Sequence, residues 1–185
     1  MDSLSSLFPA LRTLQLASSD AQVHLRSWRA TDADFLLTSF ADDQARLCTP
    51  LPGPINHDIA LRWIHDHSAR GLRPTSPALL ITNAEGVRCG AIGATRIDWK
   101  QKQAQFFYWV LAPYRHHGLA TVALRTISEW AFTQGLSRLE LMIDTNNPIS
   151  IKVAISAGYS FECLHPGYRF LNSKFIDAVA YTRSA

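Results

Sequence analysis

The stretch Gln103–Leu111 constrains this chain more than any other. Side chains along a strand alternate between its two faces. Ala104, Phe106, Tyr108 and Val110 therefore share one face, and Gln105, Phe107 and Trp109 share the other. Aromatic bulk on both faces has to be covered on both, which predicts a central strand of a sheet flanked by helices. Ala112-Pro113 ends the strand, and Tyr114-Arg115-His116-His117-Gly118-Leu119-Ala120-Thr121 leads into a helical run from Gly118 to Gln134. The first N–H groups of a helix have no partner inside it and lie at its positive end. A strand, a basic turn and a helix start thus form an anion site. Arg115 adds a fixed positive charge, and Gly118 removes the side chain where backbone would approach a phosphate. The ligand expected there is a pyrophosphate held mostly by backbone.

The remaining chain reads as an ordered series of elements. Residues 1–20 form an arm, and residues 21–185 form a single domain. Gln22–Trp28 alternates with period two, as a half-buried strand does. Thr31, followed by Asp32 and Asp34, signals a helix start with Thr31 as cap, carrying Phe35, Leu36 and Phe40 inward. Thr49–Pro54 holds three prolines and is a shaped loop. Asn56 or Asp58 opens a second helix to about Ala69, with Ile59, Trp63 and Ile64 inward. Ala78–Thr82 and Val87–Trp99 are strands around the turn Asn83–Gly86. In the helix after the basic turn, Val122, Ala123, Ile127, Trp130 and Ala131 fall on one stripe, and Gly135 ends it. Arg138–Asp144 alternates again. Asn147 then caps a further helix with Pro148 at its first position, and Gly158 stops it. Tyr159–Leu164 and Phe175–Tyr181 close the chain, joined by a loop over 165–174. The predicted order is β-α-α-β-β-β-α-β-α-β-β, a mixed α/β (α+β) fold with a largely antiparallel sheet.

Composition narrows the function. At 185 residues with 47% hydrophobic and 18% charged content, the chain is globular rather than disordered. A net charge of +3 without a dense Lys/Arg stripe argues against nucleic acid as partner. Three cysteines, Cys48, Cys89 and Cys163, form no CxxC pair and read as reduced thiols. No apolar run spans a bilayer, and the N-terminus lacks the pattern of a signal peptide. A cytoplasmic protein without membrane attachment is expected, as monomer or homodimer. His116-His117 and His65-Asp66-His67 match no common metal-ligand spacing, so no metal is expected.

From about Gln22 to Arg183 the chain resembles the GNAT superfamily of N-acetyltransferases, and within it the RimJ/RimL-like branch, whose known members acetylate protein N-termini. Arg115-His116-His117-Gly118-Leu119-Ala120 is similar to the family's Arg/Gln-x-x-Gly-x-Gly/Ala motif. Asn147-Pro148-Ile149-Ser150, with the helix ending at Gly158-Tyr159, is similar to the branch's second motif. Leu25–Trp28 and Tyr108-Trp109 also fit the branch. Two motifs at this separation and in this context are far more specific than one. The resemblance implies acetyl-CoA as co-substrate and an amine acceptor, either a small molecule or a protein N-terminus. It implies that the amides of His116, His117, Gly118, Leu119, Ala120 and Thr121 bind the CoA pyrophosphate. Val110 and Leu111 would pair with the pantetheine arm where the central strand splays from Leu139–Ile143, and Asn147 would hold the arm from the other side. Ser150 would protonate the departing thiolate.

Acyl transfer from a thioester to an amine needs a neutral amine near the carbonyl and donors for the developing oxyanion. The leaving thiol has a pKa of roughly 8.5, by analogy with cysteine, so a hydroxyl donor helps without being indispensable. Loss of Ser150 is therefore expected to cost less than blocking the basic turn. Gln105 stands where the branch often has glutamate, and glutamine is no base. A neutral acceptor, a water chain, or Asp98, Glu140 or Asp144 can take the proton. Trp63, Tyr168 and the proline loop are candidates to line the acceptor pocket, within segments 42–58 and 165–174. The rival reading, motivated by Gln105, is a non-catalytic acyl-CoA-binding sensor of the same fold.

Overall fold

A computed structural model describes residues 15–19, 21–48, 54–67, 78–171 and 173–185. Its elements run β1 (Gln15–Ala17), β2 (Val23–Ser27), α1 (Ala33–Ala41), α2 (Asp43–Cys48), α3 (His57–His67), β3 (Ala78–Asn83), β4 (Arg88–Asp98), β5 (Gln103–Val110), α4 (Leu119–Thr133), β6 (Arg138–Asp144), α5 (Pro148–Ser156), β7 (Ser160–Leu171) and β8 (Lys174–Ser184). The strands form one mixed sheet in the order β1-β2-β3-β4-β5-β6-β8-β7. Every neighbouring pair is antiparallel except β5 and β6.

Strand β5 lies inside the sheet and is covered on both faces, as its two apolar faces require. Ala104 and Phe106 pack into a core that includes Ala123, Leu124 and Ile127 of α4 and Ala154 of α5. Phe107 and Trp109 pack into a second core with Phe35 and Leu36 of α1, Ala45 of α2 and Trp63 of α3. Gly90 of β4 lets β5 come close: a Cβ there would lie 2.1 Å from the carbonyl oxygen of Trp109.

Five local readings differ from the structure. Gln15–Ala17, within the stretch read as an arm, pairs with β2 as an edge strand. Thr31 does not cap α1; it sits in a 3-10 turn over Ala30–Asp32, and α1 begins after Asp32. There Asp32 accepts from the Arg29 amide at 2.8 Å and from both terminal nitrogens of Arg26 at 2.8 and 2.9 Å, a stronger set of partners than a threonine hydroxyl offers. An additional helix, α2, follows α1, because the Asp42 carboxylate accepts from the Ala45 amide at 3.0 Å and starts a new turn. The expected loop over 165–174 is mostly strand, with an irregularity in the β7–β8 register between His165 and Arg169. Asn56 caps α3 through the Ile59 amide at 2.9 Å. Ala60, rather than Ile59, joins Trp63 and Ile64 in the core. Most of the proline loop and the tail of the second predicted helix lie outside the described residues.

Candidate active site

The site starts from a parting of strands. β5 and β6 pair from Gln103↔Arg138 to Phe106↔Leu141 and no further. β4 holds β5 as far as Val110, while β8 holds β6 as far as Asp144. The sheet therefore opens into a seam beside Tyr108 and Val110.

Helix α4 begins at one end of this seam. Its N-cap is Gly118 at φ +76°, and no side chain caps it. The Val122 amide reaches the Gly118 carbonyl at 3.0 Å, which leaves the amides of Leu119, Ala120 and Thr121 ahead of the first helical bond. His116 is also left-handed, at φ +66°. Two left-handed residues within three curl the turn into a concave set of N–H groups. A Cβ on Gly118 would meet no atom within 4 Å. The glycine is thus demanded by backbone conformation, and the space before it is open.

That space is a cavity of about 360 Å³. Val110, Asn147 and Ser150 border it, as do Arg115, His116, Gly118, Leu119, Ala120 and Thr121 of the turn. The residues match a diphosphate ligand in kind: unpaired amides at a helix N-terminus, with an open strand edge and an amide side chain beyond. Asn147 Oδ1 is engaged as the helix cap, accepting from the Ser150 amide at 3.0 Å.

Arg115, Leu111 and the His117 side chain make contacts that the sequence did not show. Arg115 is not a spare positive charge. Its Nη2 donates to both oxygens of Asp42, at 2.6 and 2.7 Å, and its Nε donates to the Val110 carbonyl at 2.9 Å. It fastens the turn to the α1–α2 corner. Leu111 leaves the cavity: its side chain is buried in the second core, and its amide donates to Cys89 O at 2.9 Å. The His117 side chain borders a separate depression with Tyr114, Leu119 and Gln22.

A second cavity, of about 450 Å³, lies on the other side of the seam. Cys48, Tyr108, Asn147, Ile149 and Ser150 border both cavities and form the throat between them. The Tyr108 hydroxyl donates to the Ser150 carbonyl at 3.3 Å and so ties β5 to the first turn of α5. Burial pushes its phenol pKa up to about 12. The group stays protonated at neutral pH. Burial also raises the Cys48 thiol to about 11, which keeps it a thiol.

Beyond the throat stand Gln105, Tyr168, Asp144 and Arg169. Gln105 accepts from Thr95 Oγ1 at 2.9 Å and donates through Nε2 to the Tyr168 hydroxyl at 3.1 Å. Both ends of its carboxamide position neighbours. Of the three carboxylates offered as bases, Asp144 alone borders this cavity. Asp98 is at the β4–β5 turn, accepting from the Gln101 amide at 2.9 Å. Glu140 borders a smaller neighbouring hollow. Tyr168 lines the acceptor side as expected, whereas Trp63 is buried against Trp28. Sequence reasoning gave no role to Cys48 or Arg169. Both reach the second cavity through long-range contacts: Cys48 through the unpredicted helix α2, Arg169 through the β7 irregularity.

Comparison with known proteins agrees with this geometry. The curated spermidine N(1)-acetyltransferase of Escherichia coli (strain K12) is 25% identical over 123 residues, which span 66% of this chain and 62% of the relative. Mycobacterium smegmatis RimJ, solved in complex with CoA-disulfide, superposes with a TM-score of 0.80 at 22% identity over 93% of this chain and 86% of that one. RimL, a ribosomal alpha-N-protein acetyltransferase solved with coenzyme A, superposes with a TM-score of 0.82 at 18% identity over 92% and 98%. Residues 22–160 match the family model described as acetyltransferase (GNAT) domain. With that model covering most of its length, and with the helix start, the seam and the paired cavities in place, the chain belongs to the GNAT acetyltransferase family.

Proposed function

We propose that the protein is an acetyl-CoA-dependent N-acetyltransferase acting on a primary amine in a ternary complex. The observation that carries the reading is the pair of cavities joined at Tyr108 and Ser150, with the free amides of α4 at the far end of one of them. Family membership supports it, as do the relatives that act on spermidine or bind coenzyme A. The catalytic domain includes the edge strand β1 and so extends upstream of residue 21. The unpaired cysteines favour the cytoplasm.

In the reaction the amine nitrogen bonds to the thioester carbonyl carbon and loses a proton. The carbon–sulfur bond breaks, and the sulfur leaves with its electron pair and takes up a proton. The chain supplies position and donors. Amides of residues 116–121 hold the diphosphate. The open edge at Val110 and the Asn147 side chain flank the arm that runs to the throat. Ser150, which borders both cavities, protonates the sulfur through its hydroxyl. Tyr108, held in its protonated form, fixes the turn that carries Ser150. Asp144 faces the amine side and serves as proton acceptor.

The test combines acetyl-CoA binding with thiol release over a panel of amines. Gly118→Glu places a carboxylate in the anion site on a left-handed backbone, and is expected to weaken acetyl-CoA binding by about 100-fold or more. Ser150→Ala is expected to lower kcat by about tenfold, less than the roughly 100-fold that a general acid usually contributes, because a thiolate is a modest base. Equal acetyl-CoA binding by Gly118→Glu and the parent would show that the site is misplaced. Binding without thiol release from any amine would favour the sensor.

A further inference from the structure

The acceptor cavity has an unusual charge content. Among the described residues that border it, the charged side chains are Asp144 and Arg169, and they are bonded to each other. Phe107, Met142, Ile143 and Leu47 supply much of the remaining wall. Glu140, outside it, lies 3.7 Å from Arg138. A polyamine would therefore bring several positive charges to a wall whose net charge is zero. A simple monoamine would draw Asp144 away and leave Arg169 without its carboxylate, held by the Leu47 carbonyl alone. A molecule carrying both an ammonium and a carboxylate satisfies both residues.

The guanidinium shows where that carboxylate would sit. Nη1 donates to the Leu47 carbonyl at 2.9 Å, which anchors the side chain to the end of α2. Nη2 donates to Asp144, while Nε is buried without a partner. Nε and Nη2 share one edge of the planar group, the edge that a carboxylate grips with two oxygens. Asp144 covers that edge but meets only half of it. Both side chains keep an accessible part, 25% for Asp144 and 35% for Arg169. The break in the β7–β8 register between His165 and Arg169 aims Arg169 into place, as such irregularities do near sites.

We infer that the acceptor is a zwitterion of the α-amino acid type with an apolar side chain. Its ammonium binds Asp144 and its carboxylate takes the Nε–Nη2 edge of Arg169. The pair bonded across the cavity is then the substrate-free arrangement of a zwitterion site. This assignment rests on the N-acetyltransferase reading and narrows its substrate.

The experiment compares L-methionine, methioninamide and spermidine on the full chain. Binding is measured by calorimetry with coenzyme A present, and thiol release with acetyl-CoA. Methioninamide presents its amine as a peptide N-terminus does, without the carboxylate. The expected result is at least tenfold tighter binding of methionine than of methioninamide or spermidine, with thiol release in the same order. Arg169→Gln is expected to erase the difference between acid and amide. Arg169 also supports α2, so the series on the unaltered protein decides the matter by itself. Methioninamide or spermidine binding as well as methionine would overturn the assignment and leave the acetyltransferase reading intact. Failure to bind acetyl-CoA would remove both.

Discussion

Single positions carry much of the precision in this protein, and Gly90 is the sharpest case. A methyl group there would meet the Trp109 carbonyl oxygen at 2.1 Å, and that oxygen belongs to the backbone of the central strand. Neither atom can rotate away, so β4 and β5 have to separate. Gly90→Ala is expected to destabilise the fold by about 3 kcal/mol, at the upper end of overpacking costs, read from urea unfolding. In the sequence a glycine inside a strand signals no more than a bend or a close approach, because the clash is with a residue on another strand. Gly118 and Asn147 were legible for the opposite reason. Left-handed turns and helix caps are decided within four or five residues, so their chemistry is written locally. Arg169 lies at the other extreme: its partners, Leu47 and Asp144, are far from it in sequence.

At the scale of elements, strands and helices with clear periodicity were readable, and junctions were not. β6 and the start of α5 fall where alternation and the Asn-Pro pair put them. α2 escaped notice because six residues are too few to show a period. Its placement depends on Asp42, which serves three elements at once. Asp42 accepts from the Ala45 amide at the start of α2, from the Ala112 amide past the end of β5 at 3.2 Å, and from Arg115 before α4. Asp42→Asn keeps part of the cap and discards the ion pair. It is expected to cost about 2 kcal/mol, the worth of partly buried charged hydrogen bonds, measured by urea unfolding. Acetyl-CoA binding is expected to weaken with it, because the turn before α4 loses its brace.

For the whole molecule, the class of fold followed from one strand with two apolar faces. The acceptor did not, because the cavity that selects it is assembled from α2, β5, β6, α5 and β7 together. The same long-range assembly shapes the response to acid. Asp32 and Asp42 are each partly desolvated, which alone would raise their pKa values. For Asp32, bonds from Arg26 and the Arg29 amide outweigh burial; for Asp42, the Ala45 amide and Arg115 do so. Both carboxyls are held below their ordinary value of 3.8. A lowered folded-state pKa contributes stability above the unfolded value, and that contribution is lost as pH falls through the folded one. Unfolding free energy is therefore expected to be insensitive to these groups from pH 7 to about 5 and to fall below about pH 4. A protein with both Asp32→Asn and Asp42→Asn is expected to show a shallower acid limb in urea titrations across that range.

The parting of β5 from β6 bears on mechanics as well as chemistry. The half-sheet β1–β5 and the half-sheet β6-β8-β7 are laced together by four residue pairs, Gln103–Phe106 against Arg138–Leu141. This is the waist of the molecule. Whatever lodges in the gap above it spans both halves like a rivet, so loading the protein with its acyl donor also braces the short crossing between them.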